Sequence, residues 1–220
     1  MKYLLAAVMA ISLFAAACED PAANKAKATI NEPSVNSASS SNAAPAAPFV
    51  AKGEALAING DNSKIEFTGS KVTGKHDGGF KTFTGTIDLV NSKPVESSVS
   101  VDIQAASVYS DDEKLTGHLK SADFFDVEKF PKASFKSTKI EADAAKGVDA
   151  YTVTGDLNLH GVTKSISFPA TIKAGSEAVE VNAEFAVNRK DFGIVYAGQA
   201  DNLINDNVVI KLTLNAPRKK

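Results

Sequence analysis

The sequence is poor in cysteine and tryptophan and has no large excess of charge of either sign. Cys18 is its single cysteine, so the chain cannot form an internal disulfide and its fold must depend on an apolar core. There is no tryptophan, and phenylalanine supplies 12 of the aromatic residues against 4 tyrosines. The 24 lysines and arginines are balanced by 26 acids, without the basic excess of a typical nucleic-acid-binding protein. We therefore expect a globular protein with no nucleic-acid partner.

The sequence also lacks the residue spacings that usually hold a metal or build a catalytic site. Its three histidines, His76, His118 and His160, are far apart and follow no metal-ligand spacing. There is no G-x-S-x-G nucleophile motif and no glycine-rich loop leading into a helix. His118 could be combined with Asp123 and Asp126 as an acid–base group, but we interpret the three as hydrogen-bonding groups at a helix end. The sequence thus predicts no metal site and no enzymatic activity.

The first residues have the order and length of a secretory signal peptide. Lys2 is followed by an apolar run over 4–14 and then by three alanines at 15–17. Cys18 comes directly after the alanines, and this stretch resembles the lipobox of bacterial lipoproteins. We predict a lipoprotein signal peptide over residues 1–17 and acylation of Cys18, with palmitate-type chains that anchor the protein to a membrane of the cell envelope. The alternative is an incidental cysteine after an ordinary signal peptide.

Residues 18–52 are predicted to be the lipidated cysteine and a disordered tether. The segment is rich in Ala, Ser, Asn and Pro, and its few apolar side chains are scattered. Such a composition cannot bury enough apolar surface to offset the entropy of ordering. As a flexible coil it would span roughly 30 Å and let the folded domain stand away from the membrane, in the periplasm.

Residues 53–217 alternate apolar and polar side chains almost to the end and are predicted to form one antiparallel β domain. A sheet of this size either splits into a sandwich or closes into a barrel, and the pattern alone leaves both open. The glycines after Asp77 predict a hairpin tip at 77–79. A capping box, with Ser110 as cap and Glu113 three residues later, predicts a short helix over about 111–122.

The residues expected to face inward are the apolar alternates of the strands together with two leucines of the predicted helix. If the segment at Phe124 and Phe125 is extended, adjacent residues face opposite sides and at most one of the two rings points inward. The pattern does not distinguish a hollow interior from a solid core. The candidate ligand-binding residues are Phe67, Phe80, Ile87, Val101, Ile103, Leu115, Leu119, Phe135, Leu157, Phe168 and Phe185.

Four groups of short motifs occur in order along the predicted β domain. They are Gly78-Gly79-Phe80 with Phe83-Thr84-Gly85; His118-Leu119-Lys120-Ser121 with Asp123-Phe124-Phe125-Asp126 and Phe130-Pro131; Gly155-Asp156-Leu157 with Leu159-His160-Gly161-Val162-Thr163-Lys164; and Arg189, Asp191-Phe192-Gly193 and Ile204-Asn205-Asp206. Taken together, these motifs resemble the YceI-like family of periplasmic proteins. Arg189 and Asp191 belong to the last group, and we interpret the two as a structural charged pair.

The resemblance implies an all-β, eight-stranded antiparallel lipocalin-like barrel with a short helix. It implies no enzymatic activity and an apolar tunnel for an isoprenoid lipid or the tail of a quinone. We therefore predict a membrane-anchored protein that holds a polyisoprenoid or similar long-chain amphiphile for storage, transfer or sequestration. The alternative is a structural or interaction lipoprotein with a solid barrel core. Exposed phenylalanine patches would also allow a homodimer.

Overall fold

The computed structural model describes residues 20–33 and 52–218. The predicted signal peptide, Cys18 and residues 34–51 lie outside these ranges. Strands dominate the described chain, with one short α-helix, α1 (Glu113–Leu119), and 3-10 turns at Pro94–Glu96, Ala105–Ser107 and Arg189–Phe192. The strands are β1 (Thr29–Asn31), β2 (Glu54–Asn59), β3 (Lys64–Lys71), β4 (Gly74–Phe80), β5 (Phe83–Leu89), β6 (Ser98–Gln104), β7 (Val108–Ser110), β8 (Lys132–Ala142), β9 (Ala150–Leu159), β10 (Val162–Ala174), β11 (Ala178–Asn188), β12 (Gly198–Gln199), β13 (Asn202–Leu203) and β14 (Asn207–Pro217).

The main sheet curls until its strand pairing returns to its starting point. From β5 the antiparallel neighbours are β6, β8, β9, β10, β11, β14, β3 and β4. β2 leads directly into β3 and β4 into β5, and β2 pairs with β5 while β3 pairs with β4. These four segments are therefore one long, interrupted hairpin that joins β6 on one side and β14 on the other. Counting that hairpin as two strands gives eight, which confirms the predicted lipocalin-like barrel although the individual segments are more numerous.

The alternation in the sequence follows from this curvature, because each strand turns one face inward. The inward faces of the eight strands form one continuous apolar cluster that includes Leu56, Ile58, Phe168 and Phe185. A second cluster of Val108, Leu119, Phe124 and Ile194 lies at the end of the barrel beside α1. A helix and loops therefore surround this end of the barrel, where the site described below begins.

The helix is shorter than predicted and begins differently. α1 covers seven residues, and its N-cap is Asp112, whose carboxylate accepts a hydrogen bond from the Leu115 backbone amide at 2.8 Å. Ser110, the predicted cap, instead ends β7 and donates its hydroxyl to the Asp112 carbonyl at 2.7 Å. Serine and aspartate both cap helices well. Because Ser110 pairs with Gly78 in the sheet, it belongs to β7, and the N-cap is Asp112.

The predicted hairpin tip at 77–79 is wrong, because these residues lie inside β4 and the chain turns at 72–73. The glycines serve close packing instead of a turn. A Cβ on Gly78 would come within 2.6 Å of Cζ of Phe67, whose ring covers this position from β3. A Cβ on Gly79 would come within 2.8 Å of the Tyr109 hydroxyl. Glycine inside a strand is expected where another group approaches the backbone this closely.

Residues 20–33 are ordered against the barrel, although we expected them to be part of a disordered tether. β10 and β11 pair with each other only over Thr171–Ala174 and Val179–Asn182. Where the two strands separate, residues 26–31 fill the space between them. Ala28 donates to and Ala26 accepts from the backbone of Ala186 on β11, both at 2.8 Å, and β1 pairs with 165–167 of β10. Backbone groups of β10 and β11 that do not pair with each other are free to bond residues 26–31, a segment with few apolar side chains. Composition alone does not reveal that such partners exist.

Candidate functional site

The barrel encloses an apolar cavity of about 870 Å³. Along β11 its lining extends from Val179 to Val187, roughly 26 Å at the usual rise per strand residue. The interior is therefore hollow. The predicted apolar tunnel requires such a cavity, whereas a solid barrel core would leave none. All the predicted inward residues line this cavity: Phe67, Phe80, Ile87, Val101, Ile103, Leu115, Leu119, Phe135, Leu157, Phe168 and Phe185.

Stacked phenylalanine rings occupy the middle of the cavity wall. The rings of Phe168 and Phe185 lie parallel with centroids 4.2 Å apart, and Phe135 lies 5.7 Å from Phe168. A Cβ on Gly155 would come within 2.7 Å of the Phe135 ring, so glycine at this position leaves that ring its place on the wall. None of these rings carries a polar atom, so this part of the cavity offers only apolar contacts.

A second aromatic group surrounds the helix end of the cavity, which we call the mouth. Phe125 lies 5.4 Å from Phe80 and 6.4 Å from Phe67 between ring centroids. Phe124 packs edge-on against Tyr196 at 5.4 Å. Both Phe124 and Phe125 line the cavity. They lie in a tight turn after α1, so the extended backbone under which only one ring would point inward is not present.

His118 takes a structural position at the mouth. Its Nε2 lies 2.8 Å from a carboxylate oxygen of Asp123, and its ring packs edge-on against Phe124 and Tyr196. The Ser121 hydroxyl donates to the His118 carbonyl at 2.8 Å, which fixes the turn after the helix. These contacts match the predicted role of hydrogen bonding at a helix end.

Arg189 organises the loop that forms the other side of the mouth. Its side chain is 6% exposed, and the guanidinium donates to the carbonyls of Ile194, Ile204 and Asn205 at 2.7–3.3 Å. Burial lowers the pKa of this guanidinium from its ordinary value, and the carboxylate of Asp206, 3.6 Å away, offsets part of that effect. The charged partner is therefore Asp206, while our interpretation had paired Arg189 with Asp191.

The polar residues of the lining are concentrated at its ends. At the mouth they include His76, Asp112, Lys114 and Asn202, and at the opposite end Ser97 and Ser98. The Nδ1 of His76 lies 2.9 Å from the carboxylate of Asp111. Burial raises the pKa of this carboxyl, but its hydrogen bonds with His76 and with backbone amides lower the pKa by more, so that the net shift is downward. A long apolar space with polar ends suits an amphiphile with an extended tail.

The described residues contain no cluster of three or more His, Cys, Asp or Glu side chains placed to hold a metal ion. Within the same ranges, no helix has the length and apolar character needed to cross a bilayer.

Sequence reasoning missed the cavity residues that come from irregular segments. Ile194, Tyr196 and Ile204 belong to the loop held by Arg189, where no periodic pattern marks the inward side. The resemblance motifs with Arg189 and Asp191-Phe192-Gly193 at one end and Ile204-Asn205-Asp206 at the other flank this region. The Ile204-Asn205-Asp206 motif has a structural role, because two of its backbone carbonyls and one carboxylate surround the Arg189 guanidinium.

An eight-stranded antiparallel barrel around a long apolar cavity defines a lipocalin-like domain of the kind that encloses a small ligand. The chain belongs to the YceI-like domain family, whose model matches residues 56–216. It is similar to a UPF0312 protein of Pseudomonas putida strain W619, with 38% identity over 140 residues that cover 61% of this chain and 71% of that protein.

Two solved structures share the fold. BcnA of Burkholderia cenocepacia superposes with a TM-score of 0.64 at 23% identity, covering 72% of this chain and 99% of BcnA. A polyisoprenoid-binding domain from Saccharophagus degradans superposes with a TM-score of 0.59 at 16% identity, covering 76% of this chain and all of that domain.

Proposed function

We propose that this protein binds a polyisoprenoid or a similar long-chain amphiphile, such as a quinone, in the barrel cavity without chemically changing it. The observation that carries the proposal is the shape and polarity of the cavity. An apolar space of about 870 Å³ extends along the barrel, is lined in its middle by phenylalanine, and has charged and amide groups only at its ends. The tail lies against Phe135, Phe168 and Phe185, and the polar headgroup lies at the mouth. The polyisoprenoid-binding domain of Saccharophagus degradans shares this fold, which supports the same class of ligand.

The energetics favour holding the tail and still permit its release. Burial contributes about 0.8 kcal/mol per methylene, so each five-carbon isoprene unit gains roughly 4 kcal/mol relative to water. A tail that starts in a membrane is already in an apolar phase and gains far less on entering the cavity. The barrel therefore competes with the bilayer and exchanges its ligand with it, as a storage, transfer or sequestering protein must.

The protein is anchored to a membrane of the cell envelope by acyl chains on Cys18, with the barrel in the periplasm. The sequence around Cys18 supports this part of the proposal. Intact mass of the mature N-terminus checks it directly, because acylation adds the mass of the fatty chains. A Cys18→Ser variant is expected to lose the membrane-bound fraction.

Native mass spectrometry of residues 19–220 tests ligand binding. This range keeps residues 20–33, which complete the barrel wall. We expect a mass increment that organic extraction releases and identifies as a long-chain isoprenoid, and the same spectra report whether the barrel is a homodimer. A protein that is bare and also fails to take up added prenyl lipids would contradict the proposed function.

A further inference from the structure

The exposed apolar side chains of the barrel are concentrated around the cavity mouth. Among residues 20–33 and 52–218, five large apolar side chains are exposed, and three of them lie on the loops that form the mouth: Val72, Val195 and Leu203, at 63%, 64% and 49% exposure. The Val72 amide donates to the Leu203 carbonyl at 3.1 Å, so the two loops are bound to each other. We call these three side chains the mouth rim.

The mouth rim borders the cavity lining. Val195 stands between Ile194 and Tyr196, which both line the cavity, and Leu203 precedes Ile204, which also does. Val72 follows Lys71, another lining residue. Three exposed apolar side chains therefore lie next to residues that line the cavity, and their exposure is unfavourable in water and favourable against an apolar partner.

Asp20, the first described residue, lies at this same mouth. The Ser70 hydroxyl donates to a carboxylate oxygen of Asp20 at 3.3 Å and accepts from the Asn205 amide at 2.9 Å. Ser70 lines the cavity, and Ala22 is buried against Ala186 and Val209 beside it. Cys18 precedes Asp20 by two residues in the sequence.

We propose that the mouth rim docks onto the lipid bilayer, so that the cavity opens directly into the membrane. This inference rests on the proposed function and names the membrane as the partner of the mouth. Acyl chains on Cys18 place a bilayer beside Ser70, and the mouth rim supplies the apolar side chains that enter it. The charges near the rim are of both signs, with Lys71 and Asp201 as examples, so apolar insertion and not attraction to anionic lipid provides the contact.

This arrangement has a consequence for ligand exchange. A tail that moves between the bilayer and a cavity docked on it stays in apolar surroundings throughout. A barrel that stood away from the membrane on a long tether would have to pass the tail through water. Residues 20–33, by packing on the barrel, keep the mouth close to the anchor and prevent that separation.

Single tryptophans test the docked orientation, because the natural chain contains none and each introduced one gives the whole signal. Three variants are made: Val72→Trp, Leu203→Trp and Val148→Trp. Each is purified as the mature chain with the N-terminal modification that Cys18 carries in the cell, and is reconstituted into phosphatidylcholine vesicles. Val148 is the control, since it is 95% exposed between β8 and β9 at the opposite end of the barrel. We expect blue-shifted emission and quenching by brominated lipid for the two mouth-rim variants only, with little change between low and high salt.

Equal emission from mouth and control variants, or unquenched emission from both mouth variants, would overturn the docking. A blue shift that grows with protein concentration in the absence of vesicles would also overturn it, because the mouth rim would then be buried by a second copy of the chain. Native mass spectrometry of the same samples separates this outcome from the proposed function. Ligand present with an undocked mouth contradicts the docking alone, and a bare protein with a docked mouth contradicts ligand binding alone.

A second pair of variants tests the exchange itself. Val72→Glu with Leu203→Glu is expected to keep the bound ligand but to slow its transfer into acceptor vesicles by at least about tenfold, because two apolar side chains no longer enter the bilayer. Val148→Glu is the matched control and should transfer at the natural rate. Natural transfer rates in the mouth-rim variant would contradict the proposal.

Discussion

Replacing Ala133 by phenylalanine should shorten the cavity without unfolding the barrel. Ala133 is 4% exposed, pairs with Ile103 between β8 and β6, and lines the cavity. The new ring enters space that is empty in the barrel. Some repacking is still expected, since inserting side-chain atoms into a packed wall typically costs about 1–3 kcal/mol. The variant should therefore remain folded, with a modestly lower free energy of unfolding.

The effect on binding follows from the volume that the ring removes. Phenylalanine adds about six carbons, slightly more than the five of an isoprene unit, and a unit excluded from the cavity loses about 4 kcal/mol of transfer free energy. For a tail long enough to fill the cavity, this corresponds to a loss of up to about a thousandfold in affinity measured from water. A tail that can shift toward the mouth loses less, so shorter prenyl alcohols should be affected less than longer ones.

Titration with water-soluble prenyl alcohols of increasing length measures this loss. Lys136→Phe is the matched control, because Lys136 lies on the same strand, is exposed, and faces the opposite side of the sheet. Urea denaturation confirms that both variants are folded. Equal affinity of the two variants for every chain length would refute the reasoning, since the tail would then not occupy the space in front of Ala133.

Three further changes test the packing and electrostatics around the site. Gly78→Ala should lower the free energy of unfolding by about 1–3 kcal/mol, because its Cβ meets the Phe67 ring, whereas Gly74→Ala, with open space, should be near neutral in urea denaturation. Arg189→Met leaves three mouth-loop carbonyls without their donor, and we expect a loss of about 3 kcal/mol or more together with faster proteolysis of that loop. The Asp111 carboxyl has a lowered pKa in the fold, so it stabilises the protein above its ordinary pKa of about 4. The stability advantage over Asp111→Asn should therefore be complete at about pH 6 and disappear as the pH falls below about 4, and an advantage that is independent of pH would contradict this.

Much of the barrel and its inward surface could be predicted from local pattern. Alternation with a period of two depends only on strand geometry, so it assigned Phe67, Phe135 and Phe168 to the inner face before their partners in the sheet were known. The same rule does not apply at Phe124 and Phe125, since the backbone there turns. The alternation rule makes no prediction for Ile194 and Tyr196, because they lie in a loop that the buried Arg189 holds in place.

Other features depend on partners that are distant in the sequence. The Asp77–Gly79 stretch has the composition of a hairpin tip, and backbone pairing with β3 on one side and β7 on the other is what makes it a strand instead. Residues 20–33 have the composition of a disordered segment, and the separation of β10 from β11 is what gives them backbone partners. In both cases the deciding contact comes from another part of the chain.

The sequence by itself determined the class of the fold, the inward side of the strands that alternate with a period of two and the family resemblance, because these depend on residue type and local spacing. The tertiary structure alone decided that the interior is hollow, that the N-terminal segment completes the wall, and that Asp20, the first described residue, lies beside the mouth. A solid core and a cavity place the same apolar residues at the same alternate positions. They differ in the diameter at which the curled sheet meets itself and in how far the inward side chains fill it, and both are properties of all the strands together.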